Sequence, residues 1–394
     1  MNNKISFIKN APLSGWLFAL VITGYPFIAL IGSFLNLETI IVSLPFRIGI
    51  ILLSAILWVN SPSIFSLFFK SPWLTLLFII YFFRLLWDSY IVKLPGAPDA
   101  LLFYLITVLI PSILFSLNTP TLNQKYTAKI ILFLGGGICT LIMFMQIFNI
   151  ELSRQYEDSD QLFFEGLNPI SIGHSAVTTI IVSLYLFRQQ ITKIKLLIIY
   201  FFSFTAIFVL LLSGSRGPTV SLIACILAFM IHTRRWLLII IFSFAIIFQL
   251  IGDDILIASR FNQVGIDEST LGRIFIQENA IQQFLANPFF GSAYFESETK
   301  DYPHNIFIEI AMALGTLGLS LLFIVLWKAL KNCRTFLLRD QIFIPLLFLQ
   351  YFIGVQFSGA FWGNSAFWII TAFLCRQSNK FGEGEVLSHQ KIFH

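Results

Sequence analysis

Residues 194–218 read IKLLIIYFFSFTAIFVLLLSGSRGP, an apolar run closed by a short polar turn and a proline. No charged side chain lies between Lys195 and Arg216. A helix of that length crosses the roughly 30 Å of hydrocarbon in a bilayer, whereas a helix at the surface of a soluble domain shows a polar face. The same pattern recurs in both directions. Apolar blocks near 13–35, 39–59, 72–93, 99–117, 128–149, 169–188, 194–213, 217–232, 235–251, 304–328, 341–357 and 360–376 predict an all-α polytopic membrane protein of about twelve transmembrane helices.

Composition agrees. Of the 394 residues only 11% are charged and 57% are hydrophobic, against roughly 25% charged in soluble domains. The many Phe and Trp side chains suit lipid-facing and interfacial positions. Block 13–35 is too long for a signal-peptide core and lacks a small-residue cleavage site, so it is expected to stay in place as a helix. Cys139, Cys225, Cys333 and Cys375 fall in or near spans and suggest no disulfide framework. The net charge of +5 does not point to nucleic acid, because the basic residues are sorted by loop.

With the N-terminus in the cytoplasm, the inside loops and tail receive Lys4, Lys9, Lys70, Lys125, Lys129, Arg188, Lys193, Lys195, Arg234, Arg235, Lys328, Lys331, Arg334, Arg339, Arg376, Lys380 and Lys391. The outside receives Lys93, Arg154, Arg216, Arg260, Arg273 and Lys300. That bias sets the orientation of an inner-membrane protein with both termini cytoplasmic, because one missed span would invert every later loop. The chain then divides into nine spans over 1–251, a large periplasmic loop at 252–303, three spans over 304–376 and a cytoplasmic tail at 377–394. A loop that long usually has a function. Within it, an amphipathic helix is expected over 273–286, with Ile276, Ala280 and Phe284 at spacing four, Ser269 or Thr270 as cap and Asn287-Pro288 as stop. Its polar positions Gln277, Glu278, Gln282 and Gln283 predict that it lies on the membrane.

Three outward basic residues are candidates for chemistry. Arg216 stands in Ser213-Gly214-Ser215-Arg216-Gly217-Pro218, and Pro218 suits the first turn of the next helix. A guanidinium beside free helix amides is an anion site, phosphate above all, although an arginine snorkelling to headgroups reads the same way. Arg273, at the head of the loop helix, fits the helix dipole poorly, which points either to a ligand or to a salt bridge with Asp267 or Glu268. His304 stands where the loop re-enters the membrane; near a positive helix end its ring is expected to be neutral, as a general base must be, or else it is an interfacial anchor. Inside the membrane, Arg84 and Asp88 at spacing four are expected to hold two helices together or to serve function, Arg47 to assist an anionic lipid headgroup, and His174 is a further candidate. The periplasmic stretches contain no metal-site spacing, no Asp-x-Asp, no nucleophile elbow and no Gly-Lys-Ser/Thr loop.

The order of Leu212-Ser213-Gly214-Ser215-Arg216-Gly217, Gly272-Arg273 through Asn287-Pro288-Phe289-Phe290-Gly291, and Pro303-His304-Asn305-Ile306-Phe307-Ile308-Glu309 before Gly315-Thr316-Leu317-Gly318 resembles the O-antigen ligase and polymerase superfamily. The resemblance covers about residues 205–325; the N-terminal half matches only as a run of spans. It implies a GT-C-like membrane fold and a metal-independent inverting glycosyltransferase without cofactor. The donor would be an undecaprenyl-diphosphate-linked oligosaccharide or polysaccharide. Arg216, Gly217 and Arg273 would hold the diphosphate, and His304 would take the proton of the attacking hydroxyl. The acceptor would be a lipid-linked repeat unit in a polymerase or lipid A core in a ligase, with membrane lipids and a chain-length regulator as further partners in lipopolysaccharide biosynthesis. Polymerase is preferred, because no feature points to a lipid A core acceptor. A lipid-linked oligosaccharide flippase is the alternative of another class, disfavoured by the absence of repeat symmetry and by the gathering of suspicious groups at one face.

Overall fold

The computed structural model describes residues 12–35, 37–59, 71–117, 122–148, 168–189, 192–234 and 268–376, and every regular element among them is helical. In chain order these are α1 (Pro12–Phe34), α2 (Thr39–Val59), α3 (Pro72–Val92), α4 (Ala97–Ser116), α5 (Gln124–Ile147), α6 (Pro169–Phe187), α7 (Lys193–Ser213), α8 (Arg216–His232), α9 (Glu268–Ala286), α10 (Ile306–Leu338), α11 (Phe343–Gly354) and α12 (Ser365–Arg376). Eight of them, α1 to α7 and α10, are long and apolar enough to cross a bilayer, while α8, α11 and α12 are shorter apolar helices. These are the helices of a polytopic membrane protein. The span expected at 235–251, most of the acidic loop at 150–168, the stretch 252–267 and the tail lie outside the described residues.

Local chemistry sets the starts. Asn123, Asn168 and Asn305 cap α5, α6 and α10 by accepting from backbone amides of the first turn, at 3.0 Å (Tyr126), 2.7 Å (Ser171) and 3.0 Å (Phe307). Pro72 and Pro169 occupy first-turn positions where a missing N–H costs nothing. α5, α6 and α7 form one packed group, α8 lies against α6 and α11, and α3 and α9 both lie against α10.

The last two helices are shorter than the sequence suggests. α12 is buried along most of its length, with Trp368 enclosed by Phe78 (5.2 Å between ring centroids), Phe361 (4.4 Å) and Phe367 (4.8 Å). The connection from Val355 to Asn364 is irregular yet carries the fully buried Phe361. Irregular backbone away from water survives only if its polar groups find partners. Glu309, itself fully buried on α10, supplies one: its two carboxylate oxygens accept from the Phe361 amide at 2.9 and 2.8 Å, and one accepts from the Tyr81 hydroxyl at 3.1 Å.

α10 is broken at Gly315, whose φ of 66° and ψ of −157° lie outside helical values. The break admits the segment after α9. Ser292 N–H donates to the Met312 carbonyl (2.8 Å), and Thr316 N–H donates to the Pro288 carbonyl (2.7 Å). Gly291, also at positive φ, faces the backbone of Ala313 and Leu314 so closely that a Cβ would lie 2.4 Å from a main-chain carbon. Only glycine fits either position.

The ends of the helices sort onto two faces. On one lie the start of α8, α9 and the segment leading into α10. On the other, Arg188 donates to both oxygens of Asp340 at 2.9 Å and His232 meets the same carboxylate at 2.9 Å.

Candidate functional site

The turn Ser213 to Pro218 links α7 to α8 through Gly214 in the left-handed region, and α8 begins at Arg216 with no side chain capping its first amides. Arg216 Nη1 donates to Thr270 Oγ1 of α9 at 3.0 Å. α9 starts at Glu268, five residues before the expected Arg273, so Ser269 and Thr270 lie inside the helix rather than capping it. Thr270 serves Arg216 instead. Arg273, one turn further along, donates from Nη1 to the Phe357 carbonyl at 3.1 Å. Phe357 in turn packs on Gly217, where a Cβ would come within 3.2 Å of the Phe357 Cβ. Arg216, Thr270, Arg273, Phe357 and Gly217 thus form a closed ring of contacts.

His304 borders this ring. Its backbone has a φ of 54°, a left-handed conformation that is uncommon outside glycine. Neighbours on both sides fix it there: the Pro303 carbonyl accepts from Gln277 Nε2 of α9 at 3.1 Å, and Ile306 N–H donates to the Val355 carbonyl at 3.1 Å. The imidazole packs on the Tyr302 ring with centroids 4.4 Å apart, and its buried Nδ1 has no hydrogen-bond partner among the described residues. Burial lowers the imidazole pKa below its ordinary value of 6.5; the positive charge of Arg273 lowers it further, and Asp301 opposes both. The ring is therefore neutral at pH 7, as a proton acceptor must be.

Beside Tyr302 lies a cavity of about 360 Å³, whose lining includes Asn168, His174, Tyr351, Ser358, Trp362 and Asn364. Arg216, Arg273 and His304 do not line it; they abut it through Tyr302 and through Ser358, which follows Phe357. His174 is in the wall, stacked on Tyr351 at 6.0 Å and apart from the ring of contacts. Arg47 lines a second cavity of about 290 Å³ next to the first.

Arg84 and Asp88 correct an expectation. They pair on one helix at 3.6 Å, and what they hold is a loop, not a second helix. Arg84 donates to the carbonyls of Ser292 (3.0 Å) and Phe290 (2.9 Å), and Asp88 accepts from the Tyr294 amide (2.9 Å). The reason is the break in α10: the inserted backbone turns carbonyls toward α3 that a regular helix would have satisfied internally. Sequence reasoning also missed Glu309. A lone carboxylate in an apolar run was the available signal, since intramembrane charges rarely lack a partner.

Residues 201–323 match the family model described as O-antigen ligase. Over this segment the chain is similar to the O-antigen ligase family. The match runs from within α7 to within α10 and includes Arg216, Arg273 and His304, and it implies ligase- or polymerase-type transfer in polysaccharide biosynthesis. No curated protein and no solved structure matches the chain. The matched segment covers about a third of the sequence, and both cavities draw most of their walls from outside it.

Proposed function

We propose that this chain is a surface-polysaccharide polymerase of the bacterial inner membrane, an inverting glycosyltransferase whose site opens at the periplasmic face. The donor is a glycan on undecaprenyl diphosphate and the acceptor is the sugar hydroxyl of another lipid-linked repeat unit. The hydroxyl oxygen attacks the anomeric carbon as the bond from that carbon to the diphosphate oxygen breaks, and the electron pair leaves on the diphosphate. Arg216, Arg273 and the uncapped amides of α8 neutralise the charge that builds there, each such donor contributing on the order of 3 kcal/mol. His304 takes the hydroxyl proton. No metal is needed in this scheme.

The reading rests on the nearness of the Arg273 guanidinium to a neutral, partly buried imidazole with an unused ring nitrogen, and on Arg216 being held to the same helix, α9, through Thr270. The membrane-surface placement of α9 is supported by its exposed apolar side chains Leu271, Ile274, Phe275, Ile281 and Leu285. The description of the matched family favours a second reading, a ligase that passes the finished glycan to lipid A core. Deleting the gene separates the two. Surface glycan capped at a single repeat is the outcome expected of a polymerase, and accumulation of long undecaprenyl-linked polymer would establish the ligase instead.

A further inference from the structure

Arg47 sits on α2 with its Cζ 3.9 Å above the Phe103 ring and 5.7 Å from the Tyr25 ring. The aromatic faces shield the plane of the guanidinium and leave its in-plane N–H donors directed elsewhere. Among the described residues Arg47 has no hydrogen bond and no carboxylate partner, although a charge at this depth ordinarily has one. It faces a cavity, and that cavity shares Val21, Tyr25, Phe103, Ser171, Gly363 and Ser365 with the one that reaches Tyr302. The two cavities therefore adjoin and together extend from Arg47 to Tyr302, on which the His304 ring packs. Leu44 and Ile48, on either side of Arg47, are exposed and apolar, so the outer face of α2 meets hydrocarbon.

We propose that Arg47 marks a second phosphate subsite, which holds the phosphate-bearing head of the acceptor lipid while its sugar lies along the adjoining cavities toward His304. This rests on the polymerase reading above. The two arginines at α8 and α9 serve the donor in that reading, and a polymerase needs a separate anchor for its second lipid-linked substrate. A guanidinium suits a phosphate because its donors match two oxygens at once. The lipid-exposed flank of α2 favours an anion that arrives on an apolar tail.

The test counts bound lipids by native mass spectrometry of the full chain, with undecaprenyl diphosphate as the probe and undecaprenol as the neutral control. The unaltered protein is expected to bind two equivalents of the diphosphate, Arg47→Ala one with the other weakened roughly tenfold or more, and Arg216→Ala/Arg273→Ala one, at the Arg47 subsite. Arg47→Lys, which keeps the charge but loses the fork, is expected to retain two equivalents with one weakened, and it guards against misfolding of the alanine variant. Two full-strength equivalents on Arg47→Ala overturn the proposal, as does displacement of that equivalent by equimolar phosphatidylglycerol, which would make the site a general headgroup contact. If Arg47→Ala loses one equivalent while the double variant keeps two, the second subsite stands and the donor assignment of Arg216 and Arg273 fails.

Discussion

Arg273 disfavours protonation of His304: the guanidinium of α9 lies close enough to the imidazole before α10 to add to the effect of burial in keeping it neutral, while its own Nη1 is held by the Phe357 carbonyl at 3.1 Å. A pH dependence follows, with a definite sign. The folded-state pKa of His304 lies below 6.5, so protonation is resisted until the pH falls below the ordinary histidine value. The acid limb of kcat/KM for glycan transfer is expected below pH 6.5. Stability follows the same direction. It is unaffected by this group above pH 6.5 and declines as the pH falls below it, because the unfolded chain then takes up a proton that the folded one refuses. An acid limb at or above pH 7 would remove His304 as the neutral base.

Loss of the side chains themselves gives the sharpest contrast. Arg216→Ala and Arg273→Ala are each expected to slow transfer by about a hundredfold to a thousandfold, and His304→Ala by about a hundredfold to ten-thousandfold. Membrane insertion and melting temperature should change little. Transfer from a defined undecaprenyl-diphosphate donor by the purified variants measures this, and unimpaired transfer by any one of them excludes it from the reaction.

Of this arrangement, the sequence revealed the parts that repeat a local signal. Apolar runs mark the eight long helices, and Ser213 to Pro218 and His304 stand out as basic or titratable groups beside helix starts, whereas Arg273, expected at the head of its helix, lies inside α9. What stayed hidden is pairing at a distance. Thr270 looked like a cap and instead receives Arg216. Phe357 was one aromatic among many until its carbonyl met Arg273. The start of α12 lies later than its apolar run suggests because Glu309, far away in the chain, satisfies the Phe361 amide in the irregular connection before it. No spacing rule within a segment encodes such partners.

The interlock of α10 with the preceding segment is open to test by single methyl groups. Gly315→Ala places a Cβ 2.4 Å from the Phe289 carbonyl carbon and forces a positive φ on a side-chain-bearing residue. We expect a loss of about 2–4 kcal/mol in stability. The readout is a lower melting temperature in detergent and a reduced yield of folded protein. A variant that melts with the parent would show that the two backbones separate readily.

Arg84 offers a different kind of test, because its role is held by geometry more than by charge. Arg84→Ala strips donors from the Phe290 and Ser292 carbonyls and leaves Asp88 without its cation, a loss of about 3–5 kcal/mol for a broken buried pair. Arg84→Lys keeps the charge but cannot span both carbonyls, so partial rescue is expected, with kcat falling more than donor KM rises. Full rescue by lysine would reduce the contact to simple charge pairing.

The joint at Gly291 and Gly315 has a consequence for how such a chain diversifies. It fastens the arm that bears Arg273 to the rod that begins beside His304, so the reach between cation and imidazole is fixed when the protein assembles and stays the same whichever sugar arrives. The cavities beyond are walled in part by Tyr25, Arg47, Phe103 and Ser171, from helices that take no part in that joint. Substitutions in those walls can therefore reshape the cavities without loosening that joint.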